Sequence, residues 1–501
     1  MSLKSKEITA LLAVLALTGA GSVSAETPVY MLKGITVTAN RQAERLQDVP
    51  ANVQVVTEKD IQKRNVQNTA QAVAMVTGVS ASQSVEGTVN LRGYDSPNIL
   101  VLVDGQPMNT AWNGDVDWNM IPVENIRKIE VVSGGQSALY GGVINIMTKT
   151  QKQDGLHGSA TVSYGSSATV NQNYNVGFKK DKFDFGAFYG SMNTHGWKDY
   201  DVSVRGSGKA KGYDSDAEGN AIIGNRGSKK VLNESFGFNM GYSFNDSQKL
   251  TYKYTHSIYD WKYEDPISYI KGNGRWKGKI GENQMRYSPS NFLAARGWRA
   301  YNLHSLTYND KDNGIHAHFG LTDYYKDGFT SPVDVYPEKN FDGSGKKTSY
   351  PSKSWNFDLN KRWILGAHTV LFGGSYTEDK FSETIENKIY DWKSWNGASD
   401  GIDQRLGGKD KSYALYLQDK WAVSQKLTAY IGGRYDHYKK YDGYSQYRGK
   451  NEKDFDSSSY DKFSPKLSLD YAFNENTNAY VSYGRSFNPP ILYQVYRYSR
   501  D

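Results

Sequence analysis

The sequence predicts a mainly β protein: a short mixed α/β unit, then a long run of antiparallel strands. Three observations carry this. After Gly155 apolar and polar residues alternate with a period of two. Tyr supplies 38 of the 501 residues, and Gly, at 49, exceeds its usual share. Before Thr150, by contrast, short apolar runs are punctuated by helix-capping and turn signals.

Composition removes several classes. With no cysteine, a disulfide scaffold, thiol catalysis and Cys-ligated zinc or iron–sulfur sites are excluded. Mean hydropathy is −0.67, yet 13% of residues are aromatic, which a disordered chain would lack. A helical membrane protein would carry apolar runs of roughly 18 residues or more, and none follows the N-terminal segment. A net charge of +7, from 60 basic and 53 acidic residues, is too mild to point to nucleic acid.

Taken in order, Lys4 and Lys6 precede the apolar stretch Ile8 to Leu17, and Val23-Ser24-Ala25 has the small-x-small form of a cleavage site. Residues 1–25 therefore read as a secretory signal peptide. Export without cysteine fits a periplasmic or outer-membrane destination. In the α/β unit, Val53 to Val56 reads as a strand and Thr57 as the N-cap of a helix, with Asp60 three residues on. Asn68 to Met75 reads as a second helix, closed by Thr77-Gly78. Ile99 to Val103 is an apolar run ending in the turn signal Asp104-Gly105, and Ile126 to Val132 is a further strand.

In the second regime Phe236, Phe238, Met240, Tyr242 and Phe244 alternate with polar or small residues. Leu250, Tyr252, Tyr254, His256 and Ile258 continue the pattern after the turn Asn245 to Gln248, as do Leu467, Leu469, Tyr471 and Phe473. Each strand thus has one apolar and one polar face. A soluble sandwich turns the apolar face inward and a membrane barrel turns it to lipid, so the pattern alone leaves both open. A signal peptide, tyrosines near strand ends and unequal loops favour the barrel. Ser424-Gln425-Lys426 is tight, whereas Trp261 to Arg299 and Ser382 to Lys411 read as long polar loops.

The order of short motifs is more specific. Ile35-Thr36-Val37-Thr38-Ala39 lies about ten residues past the cleavage site. Asn90-Leu91-Arg92-Gly93 precedes Leu100 to Asp104-Gly105-Gln106-Pro107; Ile129-Glu130-Val131-Val132, Ser137 to Tyr140-Gly141 and Gly142-Val143-Ile144-Asn145 follow. Further on stand Tyr416-Leu417-Gln418-Asp419-Lys420-Trp421 and Gly433-Arg434-Tyr435-Asp436. Together these resemble the TonB-dependent outer-membrane receptors.

The resemblance implies a transmembrane antiparallel β-barrel of about 22 strands, fewer here, occluded by an N-terminal α/β plug domain. It divides the chain into a signal peptide (1–25), a TonB-box segment (26–44), the plug (45–152) and a barrel (153–501) incomplete at its C-terminus. It implies a box at Ile35, Thr36, Val37, Thr38 and Ala39 that adds as an edge strand to TonB, which works with its inner-membrane energising complex. It marks Arg92, Gly93, Asp104, Gly105, Tyr140 and Gly141 as plug core. The implied function is active uptake of a scarce ligand, a ferric siderophore or haem, with cobalamin as the alternative. The implied location is the lipid of the outer membrane.

Two departures from that pattern create expectations. Tyr140-Gly141 runs directly into Gly142-Val143, where the family has intervening residues, so the plug's last hairpin is expected to be disturbed. From Gly155 onward the chain allows about 17 strands at roughly 20 residues each, too few for the family barrel, and ends without its terminal aromatic strand. Arg92, if buried in a polar lumen, needs a carboxylate whose loss could release the plug; otherwise it stabilises the plug fold.

Enzyme chemistry finds no support. His316 and His318 share a strand face but lack a third ligand, and Asp323, Asp327 and Asp334 do not have calcium-loop spacing. No Ser-His-Asp set, phosphate loop or zinc-protease motif occurs. The reading contains no catalytic residue, metal site or cofactor, and singles out no ligand-binding residue. A passive porin or adhesin-like outer-membrane β-protein is the competing class. Phe487-Asn488-Pro489-Pro490 resembles a stretch found in haem receptors, with Asn-Pro in place of Arg-Ala.

Overall fold

The computed structural model describes residues 36–37, 44–45, 52–82, 88–133, 141–196, 201–204, 214–269, 276–280, 283–287, 296–332, 345–392, 395–399, 401–474 and 477–497. The signal-peptide segment, Ile35, Thr38, Ala39 and Tyr140 lie outside them.

The N-terminal unit is built as its local signals require. Strand Asn52–Thr57 runs into helix Glu58–Lys63 through a capping box. The Asp60 backbone N–H donates to Thr57 Oγ1 at 3.3 Å, and the Thr57 backbone N–H donates to the Asp60 carboxylate at 2.9 Å. The hydrogen bond from the Thr57 hydroxyl holds the Asp60 carboxyl below its ordinary pKa, against the opposing effect of burial. Asn68 caps helix Thr69–Val73. A five-stranded sheet orders Asn52–Thr57, Ile126–Ser133, Gly142–Thr148, Leu100–Val103 and Gln106–Pro107. Its buried faces carry Val56, Val101, Ile129, Ile144 and Ile146.

Strand Gly142–Thr148 pairs from Ser133↔Gly142 to Ile126↔Thr148, and runs parallel to Leu100–Val103. The strand that follows the shortened segment thus keeps its ladder, while the connection itself, residues 134–140, lies outside the described residues. The two glycines make the close approach possible. A Cβ on Gly142 would lie 2.5 Å from Leu91 Cδ2, and one on Gly141 would lie 2.8 Å from the Tyr94 ring.

The second unit is one fifteen-stranded antiparallel sheet from Gly155–Gly165 to Thr477–Gly484. Those two end strands are not paired with each other among the described residues. Among the described residues the count is below 17, and part of the chain forms a separate sheet of Asp201–Val204, Ala221–Asn225 and Ile267–Ser268. The two long loops are shorter than their polarity suggests. Strand Gln248–Glu264 continues past Trp261, Arg296–Asp310 starts before Arg299, and His368–Ile389 and Ile402–Ala422 consume most of 382–411. These strand tops mix charged residues such as Lys262 and Glu264 with inward-packed Trp261 and Leu406, so the apolar face of the lower strand does not continue into them although the ladders do.

The alternation resolves as a barrel wall. On Ser228–Ser243, Met240 and Tyr242 are exposed, while Ser235 and Asn239 are buried inward. Phe357, Leu415, Leu417, Phe463 and Leu467 are exposed likewise. The polar face is the covered one because the sheet curls around the N-terminal unit. One apolar cluster crosses that boundary, joining Trp118, Met120 and Ile121 to wall residues Val231, Tyr259, Tyr301 and Tyr324. After the last strand, residues 485–497 turn into the lumen and end in helix Leu492–Tyr496, where Tyr496 occupies the space above Gly408 and Gly443.

Candidate functional site

The contacts between plug and wall form two levels. The inner level is built on the Asp104-Gly105 turn, whose two residues have φ of 51° and 88°. Both are left-handed, as a two-residue hairpin turn demands. The turn aims the Asp104 carboxylate back at the sheet, where it accepts from the Thr148 backbone N–H at 3.0 Å and the Thr148 hydroxyl at 2.6 Å. From the wall, Lys253 Nζ donates to Asp104 Oδ1 at 2.7 Å and to Thr148 Oγ1 at 2.8 Å. The Asp104 carbonyl accepts from Ser305 at 3.1 Å, and the His318 ring packs on Gly105. Replacing Lys253 by Met strands a mostly buried carboxylate. The plug should lose about 3 kcal/mol of stability, read as earlier proteolysis of the plug in a urea series, with recovery in the K253M/D104N pair, since Asn removes the charge yet tolerates the left-handed turn and still accepts from Thr148.

The outer level is built on Arg299. Its guanidinium bridges plug and wall, at 3.0 Å from Asp117 and 2.7 Å from Asp327. Beside it Tyr301 donates to the Met120 carbonyl at 2.7 Å and Tyr324 to the Met108 carbonyl at 3.1 Å. Above these, Trp112 Nε1 donates to Glu383 at 2.9 Å. The Trp112 ring stacks on Tyr350 at 4.0 Å and 16° and meets Tyr493 edge-on at 5.4 Å. In the same plug loop, burial raises the Asp115 carboxyl above its ordinary pKa, opposed by the hydrogen bond from Asn113. The inward segment reaches the plug: Asn488 Nδ2 donates to the Pro97 carbonyl at 3.1 Å, and the Tyr493 backbone N–H to the Trp112 carbonyl at 3.2 Å.

Between plug and wall lies a cavity of about 790 Å³, lined by Asp104 and Asn145 of the plug and by Lys253, Asp358 and Arg434 of the wall. Such a set of polar walls and inward cations can hold a plug in a water-accessible lumen and can guide a polar solute beside it.

The TonB-dependent Receptor Plug Domain model matches residues 45–145, and the TonB dependent receptor-like beta-barrel model matches residues 155–500. The chain belongs to the TonB-dependent receptors. Among relatives, the vitamin B12 transporter of Vibrio cholerae is 32% identical over 202 residues, which cover 38% of this chain and 32% of that protein. The ferric enterobactin receptor of Pseudomonas aeruginosa is 23% identical over 507 aligned positions, covering 92% of this chain and 61% of that protein. The chain therefore matches less than two thirds of the length of these relatives. The solved ferripyoverdine receptor of the outer membrane of Pseudomonas aeruginosa has a TM-score of 0.62 at 16% identity, covering 91% of this chain and 60% of that one. The ferric-catecholate import receptor of E. coli has a TM-score of 0.60 at 16% identity, covering 89% and 71%. At those identities the likeness is one of fold.

Within this TonB-dependent receptor the residues singled out from sequence fall in different places. Asp104 and Gly105 sit at the inner plug–wall level. Arg92 does not. It is exposed, at φ 50°, in a turn with Gly93 at φ 88° that closes Leu91 onto Tyr94. Among the described residues it has no ion-pair partner, and its side chain lies along Gly78. The buried-charge expectation for Arg92 is corrected: Asp104–Lys253 and the Arg299 bridge are largely buried ion pairs that join plug to wall. Gly141 donates its N–H to the Asn98 carbonyl at 2.9 Å. Thr36 and Val37 pair antiparallel with Arg45 and Glu44. Asp327 and Asp323 do not form a cation site, since one is held by Arg299 and the other by Lys353.

Lys253, Arg299, Asp117 and Trp112 were missed. Lys253 and Arg299 carried a usable signal, because each stands on the polar face of an alternating strand, where a cation must find a partner inside the lumen. Asp117 and Trp112 lie in a plug loop and carried none.

Proposed function

We propose that the protein is an outer-membrane receptor for active uptake of a large, scarce ligand, most naturally a ferric siderophore. One observation carries the reading: the plug stands inside the curl of the wall and is held there by a few polar bridges, an arrangement that obstructs free passage and that an energised pull can loosen. The long-loop rim faces outward, as in outer-membrane barrels, which places Trp112, Tyr350 and Tyr493 at the outer mouth. Three aromatic rings there suit a ligand with aromatic chelating groups. Alignment of 92% of the chain with a ferric enterobactin receptor supports the same class.

Cobalamin is the second reading, favoured by the 32% identity to a vitamin B12 transporter. Haem draws no support from the mouth, because His316 and His318 line the cavity at the inner level, near Gly105. TonB is the proposed partner at Ile35 to Ala39, and Arg92, Gly93, Tyr140 and Gly141 are proposed to shape the plug rather than to bind ligand. We propose no enzymatic role.

The test is growth of a strain lacking the gene, supplied with one ferric siderophore or with cobalamin as the sole source. Loss of growth on a catecholate-type siderophore supports the first reading; loss on cobalamin alone replaces it with the second; loss on neither sinks both. Trp112→Ala is expected to weaken surface binding of that ligand by about 2 kcal/mol, roughly 30-fold, in an equilibrium binding assay on whole cells.

A further inference from the structure

We propose that residues 485–497 form a strap that closes the plug–wall cavity on its outer side, and that Lys440 is the switch that lets it lift. The inference deepens the receptor reading above and rests on it for its use in uptake. The strap leaves the wall at Phe487-Asn488-Pro489-Pro490. Two consecutive prolines remove two backbone donors, which disfavours any continuation of the strand ladder.

Three contacts seat the strap. Asn488 Nδ2 donates to the Pro97 carbonyl at 3.1 Å and to Asn98 Oδ1 at 3.0 Å, both on the plug. Phe487 meets the wall rings of Tyr438 and Tyr460 edge-on at 5.6 and 5.8 Å. Tyr496 fills the space over Gly408 and Gly443, and packs with Leu492, Phe381 and Leu406. Strap residues Asn488 to Leu492 thereby line the same cavity as Asp379 and Asp410.

A fourth contact works against these. Asp379 and Asp410 are cross-strand partners, and Lys440 is the partner of Asp410 on the next strand. Such neighbours stand within reach of each other, and like charges placed so destabilise a sheet. Lys440 nevertheless donates its Nζ to the Pro490 carbonyl at 2.6 Å. Neither carboxylate has an ion-pair partner among the described residues. A carbonyl is a weaker partner for an ammonium than a carboxylate is. The seated strap thus holds Lys440 away from two adjacent carboxylates, and lifting it returns the cation to Asp410. The Asn488 and Tyr496 contacts oppose that return, so the strap can open without any change in the wall. Tyr493 links it to the mouth. Its N–H donates to the Trp112 carbonyl and its ring meets Trp112 edge-on, so a ligand that takes the Trp112 ring competes with the strap.

Leu492→Cys places a thiol on a chain with no other cysteine, at a strap position only 2% exposed when seated. Its rate of labelling by a charged maleimide would be measured on the full chain in detergent micelles, without ligand. Labelling should slow about tenfold in D379N/D410N, where Lys440 gains no charged partner by leaving Pro490. It should quicken about tenfold or more in Y496A, which empties the main seat. In a K440M background the asparagine pair should change nothing further. D410N alone should also slow labelling, and serves if the pair does not fold. Unchanged labelling in the asparagine variants, or slowing that persists with K440M, overturns the switch. Labelling as fast as in the urea-unfolded chain, or no faster in Y496A, overturns the strap itself. No ligand enters the measurement, so these outcomes are separate from the growth test of the uptake reading.

Discussion

Arg299→Met is expected to release the plug from the wall at its outer level. The guanidinium is the common partner of Asp117 on the plug and Asp327 on the wall, whose side chains keep only 6% and 1% of their accessible surface. Removing the cation leaves two carboxylates facing each other without water. Loss of one member of a buried pair costs about 3–5 kcal/mol, and here two groups are orphaned, so the upper end applies. The measurement is selective proteolysis of the plug in purified, barrel-intact protein across a urea series. Restoration in R299M/D117N/D327N would assign the loss to orphaned charge rather than to lost packing. Arg299→Lys should restore only part of it, since an ammonium cannot span both carboxylates with a planar fork. An unshifted proteolysis profile in Arg299→Met would remove the bridge from any account of plug retention.

Deleting Ile35 to Ala39 should reduce energised uptake to that of a strain lacking the protein, while ligand binding at the surface stays as before. The segment is β-prone, and Thr36–Val37 pairs antiparallel with Glu44–Arg45, so those two residues have the extended geometry that strand addition to a partner requires. Affinity in that mode comes from main-chain hydrogen bonds. Thr36→Pro, which removes one donor, should therefore act like the deletion, whereas Thr36→Val should not. Uptake that survives both changes would mean that the ligand crosses without TonB and that the passive-pore reading is correct. The two experiments separate the steps, because Arg299→Met alters how firmly the plug is held and the box deletion alters what pulls on it.

Much of this was written locally. The Thr57 capping box, the Asp104-Gly105 turn and the strands within the apolar band all rest on neighbours a few residues apart, and each reads correctly from sequence. The strand tops did not, because above the band the outward face turns polar and apolar residues such as Trp261 and Leu406 pack inward instead, which interrupts the pattern of the lower strand. The polar stretch after Trp261 was read as loop for that reason, though it holds the upper end of Gln248–Glu264 and the start of Arg296–Asp310. Arg92 failed differently. Its motif was recognised, but a motif does not say whether a charge is buried.

The sequence by itself determined the period of the wall strands within the apolar band and the tight turns, since these depend on backbone geometry and on residues close in the chain, and its motif order carried the resemblance to a plug followed by a barrel. Only the tertiary structure decided the sign of the alternation. A period of two divides a strand into two faces without saying which is covered. The sheet's curl around the plug buries Ser235 and Asn239 and exposes Met240 and Leu417. It also decided the pairs: Asp104 meets Lys253 across 149 positions of sequence, and Arg299 meets Asp117 across 182. Neither partner carries any local trace of the other, because what joins them is the curvature of the wall.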